Sequence, residues 1–339
     1  MGASAPTPAG WAMHPWVEES ASDVRFGVAN GPRGDWPALA EFVAILEELG
    51  YDSFWSSDHP VPSAGCWTTL AGLAATTTSL RLGSLVACIY YQNPLVLART
   101  ALDIDAMSGG RLVLGLGIGD IEREFAQMGI PWHSTSERQE ALDETIGLLR
   151  HLWGENASPP AQKHFAVGAP PLLPGPTQQP RIPLLIAGGG EKVTLRQVAQ
   201  YADASNFGEH AYTGGVQGEE AIGRRIAVLS RHCETFGRPL QTVLRTHTTY
   251  PLVVAASAAG VAEKIERFLP RWVRDLTQDT IVAGTPAEVV AHFERLVRAG
   301  LQYFIAFVYG HDLETIRLLA GEVIPEVRRR KSEAEALIA

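Results

Sequence analysis

The sequence predicts an α/β chain folded as a closed (β/α)8 barrel of parallel strands, and three observations carry that prediction. Short apolar runs alternate with longer amphipathic ones about eight times along the 339 residues. The short runs are continuously apolar rather than alternating, the pattern of strands buried on both faces beneath helices. The first run ends in Asn30-Gly31-Pro32-Arg33-Gly34 and lacks the G-x-G-x-x-G turn that announces a doubly wound dinucleotide-binding sheet, which favours the closed barrel.

Strands are expected at Arg25–Ala29, Ser53–Ser56, Leu82–Cys88, Leu112–Leu116, Leu184–Ala187, Ala204–Phe207, Val243–Val254 and Tyr303–Val308. Helices fill the intervals. Trp36–Leu49 has Asp35 as its N-cap, Pro37 in its first turn and Gly50 as its stop. Thr285-Pro286-Ala287-Glu288 repeats this grammar and opens a helix that halts at Gly300. Between the fourth helix and the fifth strand the rhythm breaks, because 154–183 carry eight prolines and no helical period survives that density. This insertion is expected to be an ordered excursion beside the barrel mouth. The barrel domain therefore spans 23–332, with 1–22 as a flexible leader and 333–339 as a tail. Trp11 and Trp16 stand out in the leader as rings suited to pack on the domain or on a partner subunit.

A net charge of −9, with Arg328-Arg329-Arg330-Lys331 as the one basic cluster, argues against nucleic acid as a partner. No apolar run approaches the ~20 residues of a membrane span. The first residues lack the basic and apolar regions of a signal peptide, so a cytoplasmic location is expected. Cys66, Cys88 and Cys233 are too scattered for a disulfide framework, and neither they nor the histidines show metal-ligand spacing, so no metal is expected.

In a parallel barrel the reacting groups collect where strands end. Asp58-His59 follows directly on the run Tyr51-Asp52-Ser53-Phe54-Trp55, and a carboxylate beside an imidazole suits proton transfer near neutrality. The alternative is a pair of hydrogen-bonded loop residues closing the barrel top. Gly115-Leu116-Gly117-Ile118-Gly119-Asp120 carries a strand into alternating glycines and an acid, which either admits a flat ligand or serves tight barrel packing. Gly188-Gly189-Gly190 ends a strand and opens a helix, the backbone of an anion site or a simple flexible turn. Leu82 through Pro94 reads as a core strand turning into a helix. Of the lone histidines, His247 and His311 fall at the seventh and eighth strands, within reach of the mouth.

Taken together, Ser57-Asp58-His59, Leu82-Gly83 through Asn93-Pro94, Ser108-Gly109-Gly110-Arg111 before Gly115–Gly119, Glu137-Arg138, Gly188–Gly190 with Tyr201-Ala202-Asp203, and Gly284-Thr285-Pro286 resemble the bacterial-luciferase-like family of flavin and deazaflavin oxidoreductases. The likeness runs from about Phe26 to Pro325. It implies a TIM barrel with an insertion after the fourth helix, and a homodimer by family habit. The Asp-His pair is similar to the branch that uses coenzyme F420, a 5-deazaflavin. FMN, in a monooxygenase using oxygen, is the alternative cofactor, and a cofactor-binding barrel without turnover is a third reading.

By this resemblance Asp58 contacts the deazaflavin head group and His59 sits beside its reactive carbon as the catalytic residue, a base or a stabiliser for the substrate. Leu85 and Val86 back the ring through a non-prolyl cis peptide, Ile118 and Gly119 line its edge, and Gly188, Gly189 and Gly190 hold the phosphate. Asp120 occupies the position of a glutamate proton donor in sugar-phosphate dehydrogenases of the branch, where many relatives have tryptophan. Where those enzymes carry a basic residue for the sugar phosphate this chain reads Asp279-Thr280, so such a substrate is not expected. Walls containing Trp67, Trp132, Phe207 and Tyr212 suit an apolar or aromatic small molecule.

Overall fold

Eight parallel strands close on one another in the computed structural model, which describes residues 11–32, 34–61 and 64–338. In chain order they are Arg25–Gly31, Ser53–Ser56, Arg81–Ser84, Leu112–Gly117, Leu184–Ala187, Ala204–Phe207, Leu244–Thr249 and Tyr303–Tyr309. Each pairs with the next, and the eighth returns to the first in register from Arg25 opposite Tyr303 to Gly31 opposite Tyr309. The barrel is thus closed, and every carboxyl end faces one rim. Helices such as Trp36–Glu48, capped by Asp35 as its sequence requires, bury their apolar faces on the outside of the strands.

Two strands are shorter than their apolar runs. The third ends at Ser84, the Leu85–Val86 peptide is cis as the family resemblance implies, and Ala87–Cys88 resumes pairing against Leu116–Gly117. The seventh ends at Thr249, shortly before Pro251, which has no amide hydrogen to continue a ladder. Beyond it, Leu252–Val254 pairs instead with Val282–Gly284 in a separate two-stranded parallel sheet.

The lumen is filled rather than open. Trp55 is fully buried there and donates from Nε1 to Ser53 Oγ at 2.6 Å. Its ring occupies the space a side chain would need at residue 83, where a Cβ would lie 2.2 Å from Trp55 Cε3, so glycine is required at Gly83. The insertion has no helix or strand but is tied to the barrel wall. Glu144 accepts the amides of Lys163, His164 and Phe165, and Asp105 accepts those of Thr177 and Gln178.

The described part of the leader packs on the barrel. Pro15–Ala21 is a helix whose Trp16 and Val17 are buried, with the Trp16 ring edge-on to Tyr303 at 6.1 Å in the lumen cluster. Trp11 donates to the carbonyl of Phe236 and lies under the guanidinium of Arg238. At the other end the last helix, Ile324–Ile338, passes through the expected boundary at 332 without a break. No helix among the described residues is long and apolar enough to cross a membrane.

Candidate active site

The loops after the second, third and fourth strands meet at His59. Its Nδ1 lies 2.9 and 3.1 Å from the two carboxylate oxygens of Glu124, and the Tyr91 hydroxyl donates to the same carboxylate at 2.9 Å. Glu124 is buried on the short helix Glu122–Gln127 that follows the fourth strand, whereas the His59 ring is only partly covered. With Nδ1 engaged, the carboxylate selects the tautomer and leaves Nε2 as the nitrogen able to exchange a proton with a ligand.

Asp58 points the other way. Its carboxylate accepts the Cys88 amide at 3.3 Å, joining the second strand's end to the resumed third strand. Burial, with a smaller contribution from Glu124, pushes its carboxyl up to about 6 against the opposing effects of that hydrogen bond and of His59. Asp120 stands exposed at the rim. Desolvation raises its carboxyl above the usual range, opposed by His59 and reinforced by Glu124. Three carboxylates and one imidazole thus share one electrostatic neighbourhood, at which a proton can be held or passed.

The rim beside this cluster is an apolar strip. Leu85 and Val86 after the third strand and Ile118 and Gly119 after the fourth are each half-buried, and strands two to five are consecutive neighbours. Arg138 holds the strip's edge by donating to the carbonyls of Ile118 and Gly119 while its guanidinium covers the Trp132 ring. At Gly115 and Gly117 tight packing is the explanation, since a Cβ would lie 2.1 Å from the Ser84 carbonyl oxygen or 2.7 Å from Val86 Cγ2.

Gly188, Gly189 and Gly190 leave the fifth strand on the same rim and lead toward the helix Thr194–Tyr201. The Gly188 amide is taken by the carbonyl of Asn206, but those of Gly189, Gly190, Glu191 and Lys192 meet no acceptor among the described residues. Lys192, exposed beside them, forms no ion pair among those residues, while Glu191 is neutralised by Arg224 and Arg225. A groove of about 620 Å³ opens against this loop, lined by Gly190, Lys192, Thr194 and Arg196 and, on its other side, by the acidic Glu140 and Asp143. Undonated amides, a lone cation and adjoining space suit a phosphate.

Two expected residues lie elsewhere. Phe207 is buried in the outer core, because side chains alternate along a strand and Ala204, three positions earlier, already faces the lumen. Its side chain is thus turned away from the lumen. His247 obeys the same parity: Leu244 faces in, so His247 faces out, against Phe304 and His292. His311 is exposed past the eighth strand, near Phe42. Trp67 is half-buried and packs on the outer core from the helix Cys66–Thr76, and Tyr212 is exposed on the rim with its ring edge-on to His210. No cluster of three or more metal-ligating side chains occurs among the described residues.

Glu124 and Tyr91 were not among the residues singled out from sequence. Glu122 and Glu124 read locally as first-turn acids of a solvated helix, and nothing in their spacing reveals that one of them turns inward to a histidine 65 positions earlier.

Comparison with known proteins follows the same lines. The profile of the luciferase-like monooxygenase family matches residues 20–273. An F420-dependent glucose-6-phosphate dehydrogenase of Amycolatopsis mediterranei is 29% identical over 327 residues, which cover 88% of this chain and 95% of that protein. Among solved structures, an F420-dependent secondary alcohol dehydrogenase in complex with an F420-acetone adduct superposes with a TM-score of 0.75 at 19% identity, covering 90% of this chain and 99% of the other. A monooxygenase from Streptomyces bottropensis gives 0.74 at 20% identity, with coverages of 89% and 99%. These two structures share the barrel fold.

Proposed function

The chain belongs to the luciferase-like monooxygenase family, and from that premise we propose that it is a coenzyme F420-dependent oxidoreductase moving a hydride to or from a small organic substrate. One observation carries the reading: the His59–Glu124–Tyr91 relay stands on the same rim as the amide-lined glycine loop, with the half-buried strip between them. Relatives named as F420-dependent dehydrogenases along most of the chain support it.

When bound, a 5-deazaflavin supplies a two-electron hydride carrier that reacts poorly with oxygen. The residues of the chain divide the remaining work. The amides of Gly189 to Lys192 would hold the phosphate, Leu85, Val86, Ile118 and Gly119 would present apolar surface to the ring, and Asp58 would stand near the head group. His59 accepts or returns the substrate proton at Nε2, and the buried Glu124 carboxylate balances the imidazolium that forms. Asp120 is the second proton-holding group on the rim. The same reading makes the protein a cytoplasmic homodimer, and its three buried free cysteines are consistent with a reducing compartment.

The test is cofactor titration followed by turnover. F420 is expected to quench tryptophan fluorescence on binding, Lys192→Glu to weaken that binding, and His59→Ala to lower kcat by about 10²–10⁴-fold with F420 affinity retained. Tight binding of FMN with oxygen uptake would replace this reading by a monooxygenase. Turnover indifferent to His59→Ala would remove the assigned proton carrier.

A further inference from the structure

A crevice of about 40 Å³ lies where the first and second strands end, lined by Asn30, Ser56, Ser57 and Thr69 together with Leu39 and Phe54. Along the second strand Trp55 belongs to the lumen cluster and Phe54 to the outer core, so Ser56 turns outward beneath the helices Trp36–Glu48 and Cys66–Thr76. The crevice is thus outside the barrel wall, and it shares no lining residue with the groove at the glycine loop. Its polar lining is what calls for an explanation. Ser56, Ser57 and Thr69 are only 8%, 9% and 8% exposed, and their hydroxyls have no hydrogen-bond partner among the described residues.

A buried hydroxyl that meets no partner carries its full desolvation penalty, and three of them converging on one space point to a common ligand. None of the described residues that line the crevice is ionisable. The occupant must therefore be neutral, and must both accept and donate hydrogen bonds. Water does both, and a polar space of this size holds about three such molecules. Asn30 brings the first strand to the same place, its Nδ2 donating to the Val308 carbonyl at 3.1 Å.

We propose that a fixed cluster of waters in this crevice bridges Ser56 and Ser57 to Thr69, and that Ser57 and Thr69 are thereby positioning residues for His59. The turn that carries the imidazole is held directly at two points beside Ser57. The Ser56 carbonyl accepts the Leu85 amide at 2.8 Å and the Cys66 thiol at 3.4 Å, and the Asp58 carboxylate accepts the Cys88 amide at 3.3 Å. Ser57, between them, is anchored through water to the helix that bears Thr69, since a bridging water binds nearly as well as a direct contact. His59 leaves this turn to meet Glu124, so a looser turn displaces Nδ1 from its carboxylate. The proton-carrying role of His59 rests on the reading given above, whereas the bridge itself does not, and the experiment therefore reads the bridge without cofactor.

A high-resolution crystal structure of the full chain is expected to show waters within hydrogen-bond distance of Ser57 Oγ and Thr69 Oγ1, at the same places in sodium and in potassium buffers. In NMR spectra of protein with isotope-labelled histidine, Thr69→Val should move the His59 ring signals, assigned through His59→Ala, and leave those of His247 and His292 in place. Amide hydrogen exchange at Leu85 and Cys88, whose acceptors are Ser56 and Asp58, should quicken by about tenfold in that variant, with exchange along Tyr303–Tyr309 unchanged. Thr69→Ser keeps the hydroxyl and should restore both readings. Ser57→Ala carries the same expectations as Thr69→Val, and serves if the latter proves unstable. Density for a metal ion in place of the waters, or a thermal midpoint raised by sodium or potassium relative to choline at equal ionic strength, would overturn the assignment of water. Ring signals and exchange indifferent to both Thr69→Val and Ser57→Ala would overturn the positioning role.

Discussion

A histidine directs a proton only when one ring nitrogen is held and the other is left to work, and at His59 the holding group is Glu124. Removing that carboxylate's charge while keeping its shape tests the relay without emptying the site. Glu124→Gln is expected to lower kcat by about 10–100-fold, with F420 affinity little changed, in steady-state assays of deazaflavin absorbance. The Asp58-His59 pair was legible in the sequence because both residues sit together at the end of an apolar run. Glu124 and Tyr91 were not, since each reaches the imidazole from a different strand's loop and no local pattern distinguishes an inward acid from a solvated one. Asp120 was legible for the same reason as Asp58, as the residue that follows Gly119 at a strand's end.

At the scale of elements, strand parity decided several outcomes. It placed Phe207 and His247 on the outer faces of their strands, and in the second case produced a buried pair of imidazoles between the seventh strand and the helix Pro286–Arg298. Burial, reinforced by His292, holds His247 down to about 3, and burial with the Arg295 cation holds His292 at about 4. Both rings are neutral in the folded protein and take up protons more readily when unfolded. Their contribution to stability is therefore complete above the unfolded value near 6.5 and is lost as pH falls through 6 toward 4. Urea unfolding followed by circular dichroism should show a loss on the order of 3 kcal/mol for each ring, roughly 6 kcal/mol for the pair, between pH 7 and pH 4. The double variant His247→Phe, His292→Leu should lose less over the same interval. Apolar runs locate strands, but they do not say which face of each strand turns inward; that depends on how all eight tilt and close.

For the whole molecule, closure of the barrel leaves an amino-terminal end that must be stopped, and Trp16 does this against Tyr303. Trp16→Ala is expected to cost about 3–5 kcal/mol, seen as a lower thermal midpoint with F420 affinity nearly retained, because the plug lies at the end of the lumen away from the rim. Only the company of Trp55 and Tyr303 in one interior, both hydrogen-bonded to Ser53, explains why the leader's tryptophan is buried. By itself the sequence determined the periodic alternation of strand and helix, the proline-dense insertion and the chemistry waiting at individual strand ends, all of which are local properties of composition and spacing. The tertiary structure decided which of those ends share a neighbourhood, which side chains turn into the lumen, and that Tyr250, Phe307 and Tyr309 pack together where the seventh and eighth strands end. Those outcomes depend on contacts between residues far apart in the chain, and such contacts exist only once the eighth strand has paired with the first.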